Sequence, residues 1–249
     1  MKGLLLFASA AVTLLAGDSR VDRMLDSKAT TAQRADACFE LRGRSEPEVR
    51  EAMSRALHLT FLRACAAENL RRAGAIEDLK TAAEDPDPEI QAAALPALGS
   101  FRKTDLLPLL ASKAADPNLL VATNALRGLT FYDAAVVTPA LEPLASKGGI
   151  VGIQALNLLA SFKARSAVTI ARALLQSGDI PDKVSAMGVL GEQGDASDLP
   201  ALRGIAASKQ QVAVRQRGFG LMPPIDLSQA ARNTIREIQN RTAAERPGA

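Results

Sequence analysis

His58 is the only histidine in the 249 residues, and Cys38 and Cys65 are the only cysteines. Acid–base chemistry and metal binding draw first on these side chains. One imidazole cannot build a histidine-based metal cluster, and no cysteine or carboxylate stands at ligand spacing from it. It follows the apolar position Leu57, which points to a surface or half-buried side chain. Ser100-Phe101-Arg102-Lys103 sets a hydroxyl and an amine three residues apart, the spacing at which a lysine can activate a serine. No further partner motif accompanies it, and a turn between two helices accounts for the four residues. Gly17-Asp18-Ser19 offers a second candidate nucleophile, with no Asp-x-x-His downstream to serve it. Gly188, Gly191 and Gly194 recur in threes without a preceding strand, so they do not cradle a dinucleotide, and no Gly-Lys-Ser/Thr phosphate loop exists. The acids between 84 and 89 read as helix termini and caps. The expectation is therefore a protein that is not an enzyme, with no catalytic residue, no metal and no cofactor.

The elements that carry these residues are helical. Hydrophobic residues make up 47% and charged residues 23%, which argues against disorder. Aromatics are only 3%, with no Trp, while Ala and Leu dominate. That composition suits closely packed helices and gives strands little of what they favour.

The chain repeats itself. Asp85–Phe101 lies over Asp116–Tyr132, pairing Ile90 with Val121, Ala94 with Ala125, Leu95 with Leu126 and Leu98 with Leu129. The next step reaches Val151, Ala155, Leu156 and Leu159, and a further one Ala186, Met187 and Leu190; the last, to Leu221, is degenerate. An outlying copy starts at Pro47. Each unit splits into two helices. The first helices are expected near 75–84, 104–115, 134–146, 165–177 and 197–207. The second are expected near 87–101, 118–132, 150–162, 182–193 and 211–221, each with one apolar stripe. Asp116-Pro117 is a helix start signal, Asp85 or Asp87 plays that role one unit earlier, and Ser45 with Glu48 forms a capping box. Gly152, Gly188 and Gly218 inside second helices each cost about 1 kcal/mol relative to Ala.

Asp85-Pro86, Glu89-Ile90-Gln91 and the run from Ala92 to Gly99 resemble the HEAT-repeat family, in particular its short bacterial repeats. Lys147-Gly148-Gly149 and Gly178-Asp179-Ile180-Pro181 depart from its Asp-Pro. The resemblance implies an all-α fold, a right-handed α-solenoid of stacked antiparallel helix pairs with about five repeats plus helical caps. The segments are then 1–17 as signal peptide, 18–74 as N-terminal helical cap with one divergent repeat, 75–222 as HEAT-like repeats, and 223–249 as C-terminal capping helix and basic tail. Leu227–Thr242 forms the capping helix, with Ala230, Ile235 and Ile238 inward. Second helices line the concave face in this family, which implies a scaffold binding a protein partner there. The column of Pro96, Arg127, Asn157, Gly188 and Phe219 makes Arg127 and Asn157 candidate binding residues, with Lys183, Arg215 and Arg217 nearby. Bilin lyases of phycobilisomes carry similar repeats, so an enzyme-associated subunit is a second reading.

Met1 and Lys2 precede the apolar run Leu4–Ala16. Thirteen helical residues span about 20 Å, short of the roughly 30 Å hydrocarbon core. A signal peptide cleaved after Ala16 or Gly17 is expected, with a signal anchor as the alternative. The string resembles a bacterial lipoprotein signal with Asp18 where the lipidated Cys would stand, so the expected product is periplasmic or secreted and not anchored. Export makes a Cys38–Cys65 disulfide permissible. If 47–73 is one unbroken helix the two cysteines sit roughly 20 Å apart in level, and two buried free thiols result. A break near His58–Thr60 would bring them level. Residues 75–135 carry 5 basic and 9 acidic groups; residues 201–249 carry 8 basic and 3 acidic. The basic end suits weak contact with a membrane surface, and an envelope-structural protein binding anionic lipid or polymer is the third reading. Nucleic acid is disfavoured, because no aromatic platform accompanies the charge.

Overall fold

The computed structural model describes residues 18–208, 211–212 and 225–244. Among them the chain is all-α: fourteen helices, two 3-10 turns and one pair of two-residue strands. The expected signal peptide, residues 1–17, lies outside the described residues. Two compact units, Met1–Glu84 and Asp85–Ala249, divide the chain, and the break falls inside the 75–222 block.

The first unit holds α1 (Ser19–Leu25), α2 (Thr31–Glu40), α3 (Pro47–Ala56), α4 (Arg63–Arg72) and α5 (Ile76–Ala83). Asp18 caps α1 by accepting from the Arg20 amide at 2.9 Å, and Thr30 with Gln33 forms a capping box on α2. The expected Ser45–Glu48 box does not form. Pro47, with no N–H to satisfy, takes the first helical position and moves the cap to Glu46. Met24, Leu41, Met53, Leu62, Leu70 and Leu79 are fully buried and form the core.

The expectation of an unbroken 47–73 helix with two free thiols is corrected. Helix α3 ends at Ala56, a turn over residues 57–62 reverses the chain, and α4 runs back beside α3. That reversal brings Cys65 level with Cys38, and the two form a disulfide with Cα atoms 6.4 Å apart. The buried Asn69 side chain donates from Nδ2 to the Cys38 carbonyl at 3.0 Å and accepts from the Gly43 amide at 3.3 Å. It fastens α4 to the end of α2 and to the turn that follows.

The second unit begins with α6 (Pro88–Gly99) and continues as helix pairs. These are α7 (Leu107–Ala114) with α8 (Leu119–Leu129), α9 (Ala134–Lys147) with α10 (Gly149–Ser161), α11 (Arg165–Ser177) with α12 (Ile180–Gln193), and α13 (Leu199–Ala207) with α14 (Leu227–Ala244). Tight turns make the first three pairs antiparallel. Each second helix also packs on the next, so that α6, α8, α10, α12 and α14 form one row. The repeat columns are the core: Ile90, Leu95 and Leu98 are buried, as are Val121, Leu126 and Leu129, then Leu156 and Leu159, then Met187 and Leu190.

Local chemistry repeats with the packing. The Asp85 carboxylate accepts from the Asp87 amide at 2.8 Å, and Asp87 accepts from the Glu89 amide at 2.8 Å. One unit on, Asp116 accepts from the Asn118 amide at 2.8 Å and Asn118 accepts from the Leu120 amide at 3.0 Å. The N-cap of α8 is thus Asn118, two residues beyond the Asp116 expected from the sequence, because Asp116 holds the turn instead. Helices α6 and α8 meet backbone to backbone. A Cβ on Gly128 would lie 2.8 Å from the Leu95 carbonyl oxygen, and one on Gly99 would lie 2.5 Å from the Gly128 Cα. Helix α10 lacks an Asp-Pro start and takes its cap from the following pair. Asp182, in the first turn of α12 and buried, accepts from the Gly149 amide at 2.7 Å. Gly148 sits at φ +67° with its Cα against that carboxylate, so any side chain there would be strained and would collide.

The expected second helix at 211–221 is corrected at its start. Gln211–Val212 is extended and pairs antiparallel with Ile225–Asp226; Leu221 lies outside the described residues. Helix α14 packs on α12 and α13 and fills the place in the row. Its buried residues are Leu227, Ser228, Ala231, Thr234 and Ile238, so Ile238 is inward as expected while Ala230 and Ile235 are only half-buried. The Thr234 hydroxyl donates to the Met187 carbonyl at 3.3 Å, and the Arg241 guanidinium donates to the carbonyls of Gly191 and Gly194 at the end of α12.

Candidate functional site

The row of second helices presents the candidate residues. Arg127 projects from α8 and is exposed, with no hydrogen-bond or ion-pair partner among the described residues. Asn157 is exposed on α10, and its Oδ1 accepts from the Ser185 hydroxyl of α12 at 3.2 Å. Lys183 is half-buried in the first turn of α12. Arg215 and Arg217 lie outside the described residues.

Asn157 and Gly188, neighbours in the repeat column, line one open groove of about 580 Å³ between α10 and α12. Ile153, Pro181 and Val184 give it an apolar floor, and Glu192 stands at its far end. Arg127 and Lys183 do not line it. Sequence reasoning missed Ile153, Ser185 and Glu192 as site residues. They follow from the same register, since a groove between adjacent second helices must be lined by positions one turn either side of the Asn157 column. Apolar residues continue along the row: Leu120 at the start of α8 is 45% exposed and Ile150 at the start of α10 is 60% exposed.

The three glycines inside α10 and α12 differ in what they face. A Cβ on Gly152 would meet the Leu144 carbonyl at 3.0 Å, and one on Gly191 would collide with the Glu237 carboxylate. A Cβ on Gly188 would meet nothing within 4 Å. Gly188 therefore carries the helix penalty of about 1 kcal/mol with no internal neighbour that needs the space.

At the N-terminal end of the groove the helix amides are already capped by Asp182 on Gly149 and by Asp179 on the Asp182 amide at 3.0 Å. At the other end Glu192 is exposed, and the carbonyls that end α12 and α10 are also bonded, Gly191 and Gly194 by the Arg241 guanidinium and Ala160 by the Gln193 side chain at 2.7 Å.

The remaining polar clusters are used in holding the fold. Arg172 donates to the buried Asp198 at 2.7 Å and to Asp195 at 3.1 Å, and these carboxylates raise its pKa further above the usual arginine value. The Ser100 hydroxyl donates to the Ala97 carbonyl at 2.7 Å, within the turn where the Tyr132 hydroxyl donates to the Lys103 carbonyl at 2.8 Å. In the first unit Arg20 and Arg44 hold the Asp18 carboxyl well below its usual range, and Arg71 with Arg72 lowers Glu68 to about 2. His58 is exposed. Among the described residues, no three His, Cys, Asp or Glu side chains form a group that could hold a metal, and no helix is long and apolar enough to cross a membrane. In the basic C-terminal end, Arg241 is tied to α12 and Arg232 donates to the Gln229 side chain at 3.0 Å, while Arg203 and Arg236 are exposed.

Residues 76–151 match the family model described as HEAT repeats. No curated protein matches the chain. Among solved structures, human deoxyhypusine hydroxylase in complex with glycerol is 19% identical over 90% of this chain and 96% of that one, at a TM-score of 0.40. An engineered protein is 15% identical over 89% and 96%, at a TM-score of 0.41. Likenesses this loose carry no argument about what the chain does.

Proposed function

We propose, from the premise that the chain is a HEAT-repeat protein over residues 76–151, that it is a non-enzymatic exported scaffold that binds a protein partner along its row of second helices. The observation that carries this reading is the α10–α12 groove. An open apolar floor crossed by the Asn157–Ser185 hydrogen bond, with Leu120 and Ile150 exposed along the same row, is the kind of surface that marks an interaction site. Support for export comes from the apolar leader and from the Cys38–Cys65 disulfide, a bond that persists in oxidising compartments. Function on a repeat scaffold is set by local surface, so the repeats alone assign no activity.

The test is affinity capture from the native host's envelope fraction with the chain from Asp18 onward and with its Arg127→Ala/Asn157→Ala variant. Recovery of one stoichiometric protein by the first and its loss by the second is the expected result. Recovery of a broad mixture released by salt would instead favour contact of the basic end with anionic lipid or polymer. Equal recovery by both chains would move the binding face away from the row.

A further inference from the structure

We infer that the Cys38–Cys65 disulfide is a thiol-exchange site of fixed polarity: an incoming thiol attacks the Cys65 sulfur and joins it, while Cys38 stays inside as the sulfur that leaves and later closes the bond again. The inference stands apart from the protein-binding reading and concerns the first unit alone. The two cysteines differ in access. Cys38 is 0% exposed, with the Met53 sulfur 4.0 Å from its own. Cys65 is half-buried at the start of α4, where Phe61 and Ala64 are exposed. An external thiol therefore reaches the Cys65 side of the bond first.

Local electrostatics favour the same sulfur. Cys65 is the third residue of α4, and Leu62 at the N-cap supplies no side-chain cap. Negative charge on Cys65, in the transition state and on its thiolate once reduced, falls in the first helical turn, where the helix dipole is favourable. The buried Asn69 side chain serves both sulfurs. Its Nδ2 stands 3.5 Å from the Cys38 sulfur and 3.4 Å from the Cys65 sulfur, while also donating to the Cys38 carbonyl at 3.0 Å. Whichever sulfur becomes a thiolate has an amide donor at hand.

The step needs only the incoming thiol. A thiolate R–S⁻ forms a bond to the Cys65 sulfur as the Cys38–Cys65 bond breaks, and the electron pair of that bond remains on Cys38, which takes a proton from solvent. The products are an R–S–S–Cys65 mixed disulfide and the Cys38 thiol. Attack of deprotonated Cys38 on the Cys65 sulfur runs the step backwards and releases R–S⁻. Asn69 favours that return. Its bonds to the Cys38 carbonyl and the Gly43 amide hold α4 on the end of α2 once the covalent link is gone, near the 6.4 Å Cα separation of the closed bond. A small monothiol and the active-site thiol of a disulfide oxidoreductase carry this same chemistry.

The experiment uses the chain from Asp18 onward, below its melting temperature. The oxidised, unsubstituted chain is treated with reduced glutathione, quenched in acid and mapped by peptide mass spectrometry. The adduct is expected on Cys65 at least about tenfold more often than on Cys38. In the single variants Cys38→Ala and Cys65→Ala, oxidised glutathione should label the remaining Cys65 thiol at least about tenfold faster than the remaining Cys38 thiol. In urea the two rates should converge, which assigns the difference to the fold. If either variant fails to fold, the adduct on the unsubstituted chain decides. A thioredoxin lacking its resolving cysteine supplies the protein thiol. Its capture on Cys65 without a glutathione adduct assigns the site to protein thiols, and a glutathione adduct without capture assigns it to small ones. An adduct chiefly on Cys38, equal adducts on both, or a bond that neither thiol opens until urea is added overturns the inference. In the last case the bond is a permanent brace.

Discussion

Removing the Cys38–Cys65 bond tests the part of the first unit that the sequence left open. The bond closes a loop with a sequence separation of 27. In the chain-entropy picture such a loop removes about 12 cal/mol/K from the unfolded chain, or about 3.5 kcal/mol at 25 °C. The bond joins α2 to α4, with Cys38 fully buried and Asn69 bonded to the Cys38 carbonyl beside it. Cys38→Ala/Cys65→Ala keeps that hydrogen bond and removes the cross-link. For a unit of this size, where each kcal/mol shifts the midpoint by about 4–8 °C, melting should fall by roughly 14–28 °C. Circular dichroism melts of oxidised chain, reduced chain and double variant measure it, with hydrogen exchange over 31–40 and 63–72 locating the loss. The reduced chain should melt with the double variant, and reductant should not move the variant further. If all three melt within about 2 °C of one another, the bond does not constrain this unit and the reasoning fails.

Three further outcomes follow from the packing. Leu98→Ala and Leu129→Ala should each lose about 2–5 kcal/mol in urea denaturation as fully buried truncations, and a negligible change would mean that the repeat columns are wrongly registered. Asp182→Ala should cost about 1–2 kcal/mol by uncapping α10 at Gly149 and should raise amide exchange over its first turn; unchanged exchange there would contradict the cap. Arg71 and Arg72 lower the Glu68 carboxyl from 4.5 to about 2, so their contribution is fully present above pH 4.5 and is lost as pH falls towards 2. Glu68→Gln should flatten that part of the acid melting curve, and parallel curves would show that these surface pairs contribute nothing measurable.

Helix positions in the second unit were legible because each rests on a local pattern. The stripe of Ile90, Leu95 and Leu98 recurs in step, and its copies are buried apart from the half-buried Val151. Legibility failed where a contact joins distant residues. Nothing local to Gly149 announces that Asp182 caps it, and nothing in the C-terminal helix announces that Arg241 serves the carbonyls of Gly191 and Gly194. The disulfide depended on a reversal after Ala56 within a stretch whose composition reads as continuous helix. The degenerate step to Leu221 signalled trouble at 211–221, but that α14 would take that place is a matter of packing. For the candidate site, the column placed Asn157 and Gly188 together. The groove between them emerges only once two helices are laid side by side.

The most direct test of the account is hydrogen exchange on the chain bound to its captured partner. Protection is expected over the second helices α8, α10 and α12, residues 119–129, 149–161 and 180–193, strongest around Asn157 and Gly188. Protection confined to the first helices α9 and α11, or to α14, would contradict the claim that the row of second helices is the binding face.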